Sequence, residues 1–206
     1  PLFKKKNQHL INAAKKFINK ELNLEVDSNP LINLEDSLIQ NVKKKYKINT
    51  QQTNIVLGIG GSGPTKRIPA EKFILFMHMV IDKFDSRFFL ATGKNNEEQV
   101  ILNQIMESDF KDRCEPLDNK NLEEILPIIK SCKIAICNDS SFSHLSAALN
   151  IPTIVLMADT PLLYGNYSPR MHPIIPDGEK TVGHNTRGKD RINPEKIYNK
   201  FVEILY

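Results

Sequence analysis

Lys133-Ile134-Ala135-Ile136-Cys137-Asn138-Asp139-Ser140-Ser141-Phe142-Ser143-His144-Leu145-Ser146-Ala147-Ala148-Leu149-Asn150-Ile151-Pro152-Thr153-Ile154-Val155-Leu156-Met157 decides how the rest of this chain is read. Two short apolar runs, Lys133–Cys137 and Thr153–Met157, have the length and β-branched content of buried strands. The segment between them is polar at its start and rich in small residues afterwards, which predicts a helix over 140–149. A strand, a tight turn and a helix in that order leave unpaired backbone N–H groups at the turn, with the positive end of the helix dipole behind them. Such a turn favours an anion, above all phosphate, at Asp139, Ser140 and Ser141. His144 lies four residues after Ser140, near the same face of the first turn. Asp and Ser are also ordinary N-caps, so this segment alone does not establish a ligand site.

A second stretch strengthens the reading. Asn54-Ile55-Val56-Leu57-Gly58-Ile59-Gly60-Gly61-Ser62-Gly63-Pro64-Thr65-Lys66-Arg67-Ile68-Pro69-Ala70-Glu71-Lys72-Phe73 runs from a strand through a glycine turn and a basic pair into a helix. Gly58, Gly60 and Gly63 satisfy G-x-G-x-x-G, but Pro64 and Pro69 delay the helix to about Ala70, whereas the dinucleotide motif opens its helix at the turn. Pro64 also stands where a P-loop requires lysine. What remains is a turn at Gly61 and Ser62 whose backbone can approach a ligand closely, followed by Lys66 and Arg67 as candidate partners for phosphate.

Outward from these two stretches the same alternation continues. Strands are expected near 54–59, 87–92, 112–116, 133–137 and 153–157, with helices near 70–84, 96–108, 121–130 and 140–149 and a closing helix from Pro194 to Leu205. The fold class is therefore α/β, a Rossmann-like parallel sheet with helices on both faces, and ligands belong at the carboxyl ends of the strands. Helices over His9–Leu22 and Leu34–Tyr46, the second with Asn33 as its N-cap, precede the alternation. Pro173 to Asn193, rich in Gly, Pro and charge, reads as an exposed loop.

Read together, the two stretches resemble glycosyltransferase family 9, the lipopolysaccharide heptosyltransferase family. Pro64-Thr65-Lys66-Arg67-Ile68-Pro69-Ala70-Glu71 is similar to its T-K-R-W-P-A-E segment, and Asp139 to Thr153 to its D-T-G-x-x-H-L-A-A-A-L-G-x-P-T block. A third block, G-P-T-x-P-x-x-x-G-P-Y-x-P, corresponds to Ala158-Asp159-Thr160-Pro161-Leu162-Leu163-Tyr164-Gly165-Asn166-Tyr167-Ser168-Pro169. The resemblance runs from about Gln8 to Tyr206 and implies the C-terminal, donor-binding half of a GT-B glycosyltransferase. It assigns residues 1–50 to a helical connector from an N-terminal acceptor domain that the chain does not contain, and 51–206 to the donor domain. It implies inverting transfer of a sugar, heptose from ADP-heptose, to a lipopolysaccharide inner-core acceptor, with the catalytic base on the absent domain. This chain would then bind nucleotide without transferring sugar alone.

Carried over residue by residue, the resemblance implies that Gly61, Ser62 and Lys66 meet the nucleotide diphosphate, with Lys66 stabilising the leaving group. Asp139, Ser140, Ser141 and His144 match the phosphate-binding block, and either Glu97 or Glu98 matches an acidic residue that holds the ribose. Ser141 replaces a glycine and Ala158-Asp159 replaces Gly-Pro, both beside the expected nucleotide. The implied partners are a nucleotide sugar, a lipid-linked glycan and an N-terminal domain, with no metal and no further cofactor.

Composition bounds these readings. An apolar fraction of 40% is ordinary for a soluble globular domain, and a net charge of +4 is too small to argue for nucleic acid, for which no aromatic-rich basic platform appears. Lysine clusters at Lys4-Lys5-Lys6, Lys15-Lys16 and Lys43-Lys44-Lys45 are expected to be solvated faces, with at most peripheral contact at the inner face of the inner membrane. Cys114, Cys132 and Cys137 lack metal-binding spacing and are expected as reduced thiols of a cytoplasmic protein. Two other classes compete: a non-catalytic nucleotide-binding module, and a nicotinamide-dependent oxidoreductase using Gly58, Gly60 and Gly63 with Asp82. The latter is the weaker of the two, since Asp82 is expected at a helix end and not at the tip of the second strand. A serine hydrolase is set aside because no G-x-S-x-G elbow surrounds Ser140 or Ser143.

Overall fold

The computed structural model describes residues 10–27 and 29–206. The Lys4-Lys5-Lys6 cluster and the expected helix start at His9 lie outside the described residues. Among the described residues the strands β1 (Thr53–Gly58), β2 (Ser86–Ala91), β3 (Cys114–Pro116), β4 (Ile134–Asn138), β5 (Thr153–Leu156) and β6 (Met171–Ile174) form one sheet in the order β3-β2-β1-β4-β5-β6. All pairings are parallel, with Gly58 beside both Ala91 and Cys137. Strand order reverses between β1 and β4, so their carboxyl ends, Gly58 and Asn138, bound the crevice where ligands of open α/β sheets sit.

The two faces of β1 lead into separate cores. Ile55 and Leu57 point toward α3 (Ala70–Ile81) and α7 (Pro194–Leu205), where Phe73, Phe76 and Phe201 are fully buried. Val56 points the other way, toward a core built from Ile125, Ile128 and Ile129 of α5 (Leu122–Lys130) and Phe89 of β2. This is the period of two expected of a strand covered on both sides. The Phe201 ring meets Phe76 edge-on at 5.7 Å and ties the closing helix to α3. Helix α2 (Asp36–Lys45) packs on α5, with Val42 and Ile48 in the second core. Its N-cap is Glu35, not Asn33, and the Glu35 side chain accepts no capping bond from the helix backbone. Helix α1 (Leu10–Leu22) precedes it, and Ile32 N–H bonds the Ala148 carbonyl.

The expected exposed loop is also overturned. The segment read as an exposed loop from Pro173 begins inside β6, an edge strand where proline costs no ladder bond on its open side. Beyond it, Val182 and Ile192 are buried, and Gly188 N–H bonds the Ala158 carbonyl at 2.9 Å. The segment therefore folds back over the end of β5. Its polar composition concealed this because a few buried apolar side chains and backbone bonds hold it down, without any periodic pattern.

Candidate functional site

The crevice is lined by residues at strand ends, at helix starts and in the loops that follow β1, β5 and β6. Helix α6 (Ser141–Ala148) begins immediately after β4, with Ser140 as its N-cap in extended conformation (φ −150°, ψ 173°). The Ser140 Oγ makes no capping bond and is buried without a partner. Ser143 closes the first turn by donating its hydroxyl to the Ser140 carbonyl at 2.7 Å. The N–H groups of Ser141 and Phe142, at the first two helical positions, have no intrahelical acceptor and face the crevice end of the dipole. At the other end Asn150, at φ 64°, closes the helix with bonds from Asn150 N–H to Ala147 and Ile151 N–H to Ser146. Asparagine tolerates this left-handed position where the family block carries glycine.

Asn138 joins the two motifs. Its amide donates to the carbonyls of Ile59 at 2.8 Å and Gly60 at 3.2 Å, fixing the glycine turn against the end of β4. The crevice then divides into two cavities that share Ser62, Ser140 and Ser141.

The first cavity, about 480 Å³, is lined by Gly60, Gly61, Ser62, Thr92, Gly93, Asn95, Glu98, Ser140, Ser141 and Phe142. Glu98 is its charged group, 6% exposed at the start of α4 (Asn96–Met106). One carboxylate oxygen accepts from Gly61 N–H at 2.6 Å, and the other from the Asn95 amide. Asn95 in turn caps α4 by accepting from Glu98 N–H at 2.9 Å. Gly60 and Gly93 are glycines for steric reasons: a Cβ on Gly60 would lie 2.5 Å from Glu98 Oε1, and one on Gly93 would overlap Oε2. Thr92 Oγ1, also at this cavity, is buried and unpartnered. Of the two candidate acids, Glu98 faces the cavity, whereas Glu97 is exposed and pairs with Arg67.

That pairing changes the reading of Arg67. Its guanidinium also donates to the Gly61 carbonyl at 3.1 Å, and the side chain is 9% exposed. Arg67 braces the glycine turn from behind and does not line either cavity, so it is not a phosphate partner.

The second cavity, about 380 Å³, is lined by Ser62, Lys66, Asp139, Ser140, Ser141, His144, Thr160, Tyr164 and His184. Asp139 Oδ2 accepts from Lys66 Nζ at 3.1 Å and from Thr160 Oγ1 at 2.6 Å. Asp139 and Thr160 are buried, Lys66 only partly. The carboxylate thus anchors the ammonium at the cavity wall, which gives an acidic side chain in a block expected to bind phosphate a physical use in holding a cation. His144 Nδ1 lies 2.8 Å from the Tyr167 hydroxyl, with the two rings stacked. Burial holds the imidazole pKa below its ordinary value; Asp139 pulls the other way, and Lys66 adds to the depression. Asp159, in the position of the family's proline, accepts from Arg187 N–H at 2.7 Å and so ties the loop carrying His184 to the end of β5.

All the expected site residues except Glu97 and Arg67 therefore meet at one crevice: Gly61, Ser62, Lys66, Glu98, Asp139, Ser140, Ser141 and His144. Sequence reasoning missed Thr92, Asn95, Thr160, Tyr164, Tyr167 and His184. Thr160, Tyr164 and Tyr167 lay in a block already noted and lacked only a role; His184, in the segment taken for a loop, carried no signal at all. The G-x-G-x-x-G coincidence also dissolves. Gly58 is small because Cys137 Sγ would lie 2.6 Å from its Cβ, Gly60 because of Glu98, and a Cβ on Gly63 would meet nothing within 4 Å. Asp82 is the C-cap of α3, remote from the strand tips.

The three cysteines are free, and burial pushes the thiols of Cys114 and Cys137 up to about 12, so neither is a ready thiolate. Among the described residues no three His, Cys, Asp or Glu side chains are grouped to hold a metal ion, and no helix is long and apolar enough to cross a membrane.

Known proteins share this fold. A glycosyltransferase family 9 structure from Veillonella parvula aligns with the whole chain and 62% of its own length at a TM-score of 0.72 and 18% identity. An E. coli heptosyltransferase solved with ADP aligns over 97% of the chain and 57% of its own at a TM-score of 0.71 and 19% identity. At those identities the likeness establishes the GT-B-like fold. In sequence, lipopolysaccharide heptosyltransferase 1 of Campylobacter coli is 28% identical over 164 residues, 78% of this chain and 47% of the relative. Lipooligosaccharide heptosyltransferase 2 of Haemophilus influenzae is 27% identical over 161 residues, 69% of this chain and 44% of the relative. The chain spans about half the length of these relatives. The family pattern of glycosyltransferase family 9 (heptosyltransferase) matches residues 2–191, and with that coverage the chain belongs to this family.

Proposed function

We propose that this chain is the donor-binding half of a heptosyltransferase that moves a sugar from a nucleotide diphosphate sugar, ADP-heptose, to an inner-core lipopolysaccharide acceptor, with inversion at the transferred carbon. The observation that carries the reading is the pair of cavities joined at Ser62, Ser140 and Ser141. One end offers a buried carboxylate and an unpartnered hydroxyl, suited to the hydroxyls of a ribose; the other offers an anchored ammonium and an imidazole, suited to a diphosphate and the sugar beyond it. Donor binding across this waist would set the diphosphate on the free N–H groups of α6.

In this reading the chemistry of the chain is leaving-group stabilisation. As the bond from the anomeric carbon to the diphosphate oxygen breaks, negative charge grows on the diphosphate, and fixed donors already aimed there lower the barrier without reorganising. Lys66 is held by Asp139, Asp139 by Thr160, and the helix N–H groups by the backbone. The acceptor hydroxyl and the base that deprotonates it would come from an N-terminal domain, to which residues 1–50 would connect. The names of the relatives and the ADP bound by the E. coli structure support this assignment.

Calorimetric titration of the chain with ADP, UDP, GDP and NAD, repeated on a Lys66→Ala, His144→Ala variant, tests the reading. Selective binding of ADP that is lost in the variant is expected. A preference for NAD, or no binding by the parent chain, would overturn it.

A further inference from the structure

We propose that Tyr167 is a positioning residue of the donor site: its hydroxyl donates to Nδ1 of His144 and thereby fixes the tautomer that presents Nε2–H to the diphosphate. This rests on the donor-site reading above. The two groups are 2.8 Å apart, and their rings stack at 5.6 Å with 17° between planes, so tilting the imidazole breaks the stack and flipping it breaks the hydrogen bond. Nδ1 is therefore occupied, and Nε2 is the nitrogen left to a ligand in the cavity that His144 shares with Lys66 and Ser141.

The direction of the hydrogen bond follows from what each neighbour can do. A neutral imidazole carries one donor and one acceptor, and a diphosphate only accepts. If Tyr167 accepted from Nδ1–H, a lone pair on Nε2 would face phosphate oxygens. With the phenol as donor, Nδ1 accepts and Nε2 carries the proton, so every group in the chain from Tyr167 to phosphate is satisfied. Burial raises the Tyr167 pKa and keeps the phenol protonated for this task.

The wall that delivers Tyr167 is firm. Tyr167 packs against a buried cluster of Val155, Met157, Met171 and Val182, beside Leu162. Gly165, two residues earlier, lies so close to Met157 that any side chain would overlap it. The third family block thus acts on the ligand through the second: a tyrosine at the end of the β5 loop sets the chemistry of a histidine on α6.

The test compares the parent 206-residue chain with Tyr167→Phe, which keeps the ring stack and removes the hydroxyl. Long-range proton–nitrogen NMR reads the His144 tautomer in each protein, with and without ADP, and calorimetry reads affinity for ADP and for adenosine. The Nε2–H form is expected in the parent, a tautomer mixture in the variant, a loss of ADP affinity of about threefold to tenfold, as one hydrogen bond would give, and no change for adenosine. In a His144→Ala background the same substitution should have no further effect on ADP, a null that a merely structural role for Tyr167 would not produce. An Nδ1–H tautomer in the parent, an equal loss for adenosine, or a persisting effect in the His144→Ala background overturns the proposal. Because the tautomer is measured without ligand as well, failure of the parent chain to bind ADP would count against the donor-site reading and leave the test of the Tyr167–His144 pair standing.

Discussion

The two cavities that meet at Ser140 are built by different means. The one beneath Glu98 is a matter of shape: Gly60 and Gly93 flank a single buried carboxylate, which holds the Gly61 backbone, and most of its lining lies within residues 60–98. The one around Lys66 is a matter of charge: its lining comes from the glycine turn, the start of α6, the loop after β5 and the segment after β6, linked by Asp139, Thr160 and Asp159. The first should be sensitive to volume and to loss of its one acid. The second should respond to charge, salt and pH.

The largest effect expected is that of Glu98→Ala. Gly61 N–H loses its acceptor, and a buried donor left unsatisfied costs about 1–3 kcal/mol, so urea denaturation should show that loss of stability. Affinity for ADP and for adenosine should fall together, by about tenfold to a hundredfold. If ADP alone were affected, the assignment of this cavity to the nucleoside would be wrong.

Lys66→Ala should separate the cavities. ADP affinity is expected to fall about tenfold, as for one charge-assisted hydrogen bond, while adenosine affinity stays within about twofold. Within a full-length transferase, turnover should fall at least about tenfold, removal of one donor to a developing oxyanion costing on the order of a hundredfold or more. Near-normal turnover would remove Lys66 from the leaving-group role.

A smaller effect is expected where the site is not involved. Asn150→Ala puts a residue with a Cβ penalty into the left-handed position that ends α6, at a cost of about 1 kcal/mol. Thermal melting should record that cost while ADP affinity is unchanged; a change in affinity would show that the far end of α6 communicates with its N-terminus.

The smallest effect concerns pH. Because the folded-state pKa of His144 is depressed by burial, its contribution to stability is full above the unfolded value of about 6.5 and is lost as pH falls through the folded value. A bound diphosphate favours the imidazolium, in which Nδ1–H donates and the Tyr167 hydroxyl turns to accept, so ADP affinity should rise by about twofold to fivefold from pH 7.5 to 5.5. The rise should vanish in His144→Gln, whereas adenosine binding should be flat in both proteins. A fall in ADP affinity over the same range would place His144 outside the phosphate contact.

Much of this molecule was legible in advance because its information is local. Strands such as β4 open on continuous apolar runs, here Ile134 to Cys137, the helix from Pro194 has an asparagine cap and a proline at its first position, and the glycine turn and the Asp139 block each lie within a few consecutive residues. What stayed hidden was set by packing between distant segments. Arg67 read as a phosphate partner until its guanidinium was found occupied by Gly61 and Glu97. Glu97 and Glu98 are adjacent and chemically alike, and only the rotation of α4 against the sheet sends one to solvent and the other beneath the glycine turn.

Local pattern was enough for the α/β alternation, the two motifs and their convergence at the carboxyl ends of β1 and β4, because hydrophobic period and turn chemistry are properties of neighbouring residues. Packing between distant segments set the rest: Asp139 serves Lys66, Tyr167 meets His144, and the segment after β6 brings His184 to the cavity. Those pairings join residues 73, 23 and more positions apart, and no local pattern encodes them, because each depends on where the sheet and its covering helices carry the chain.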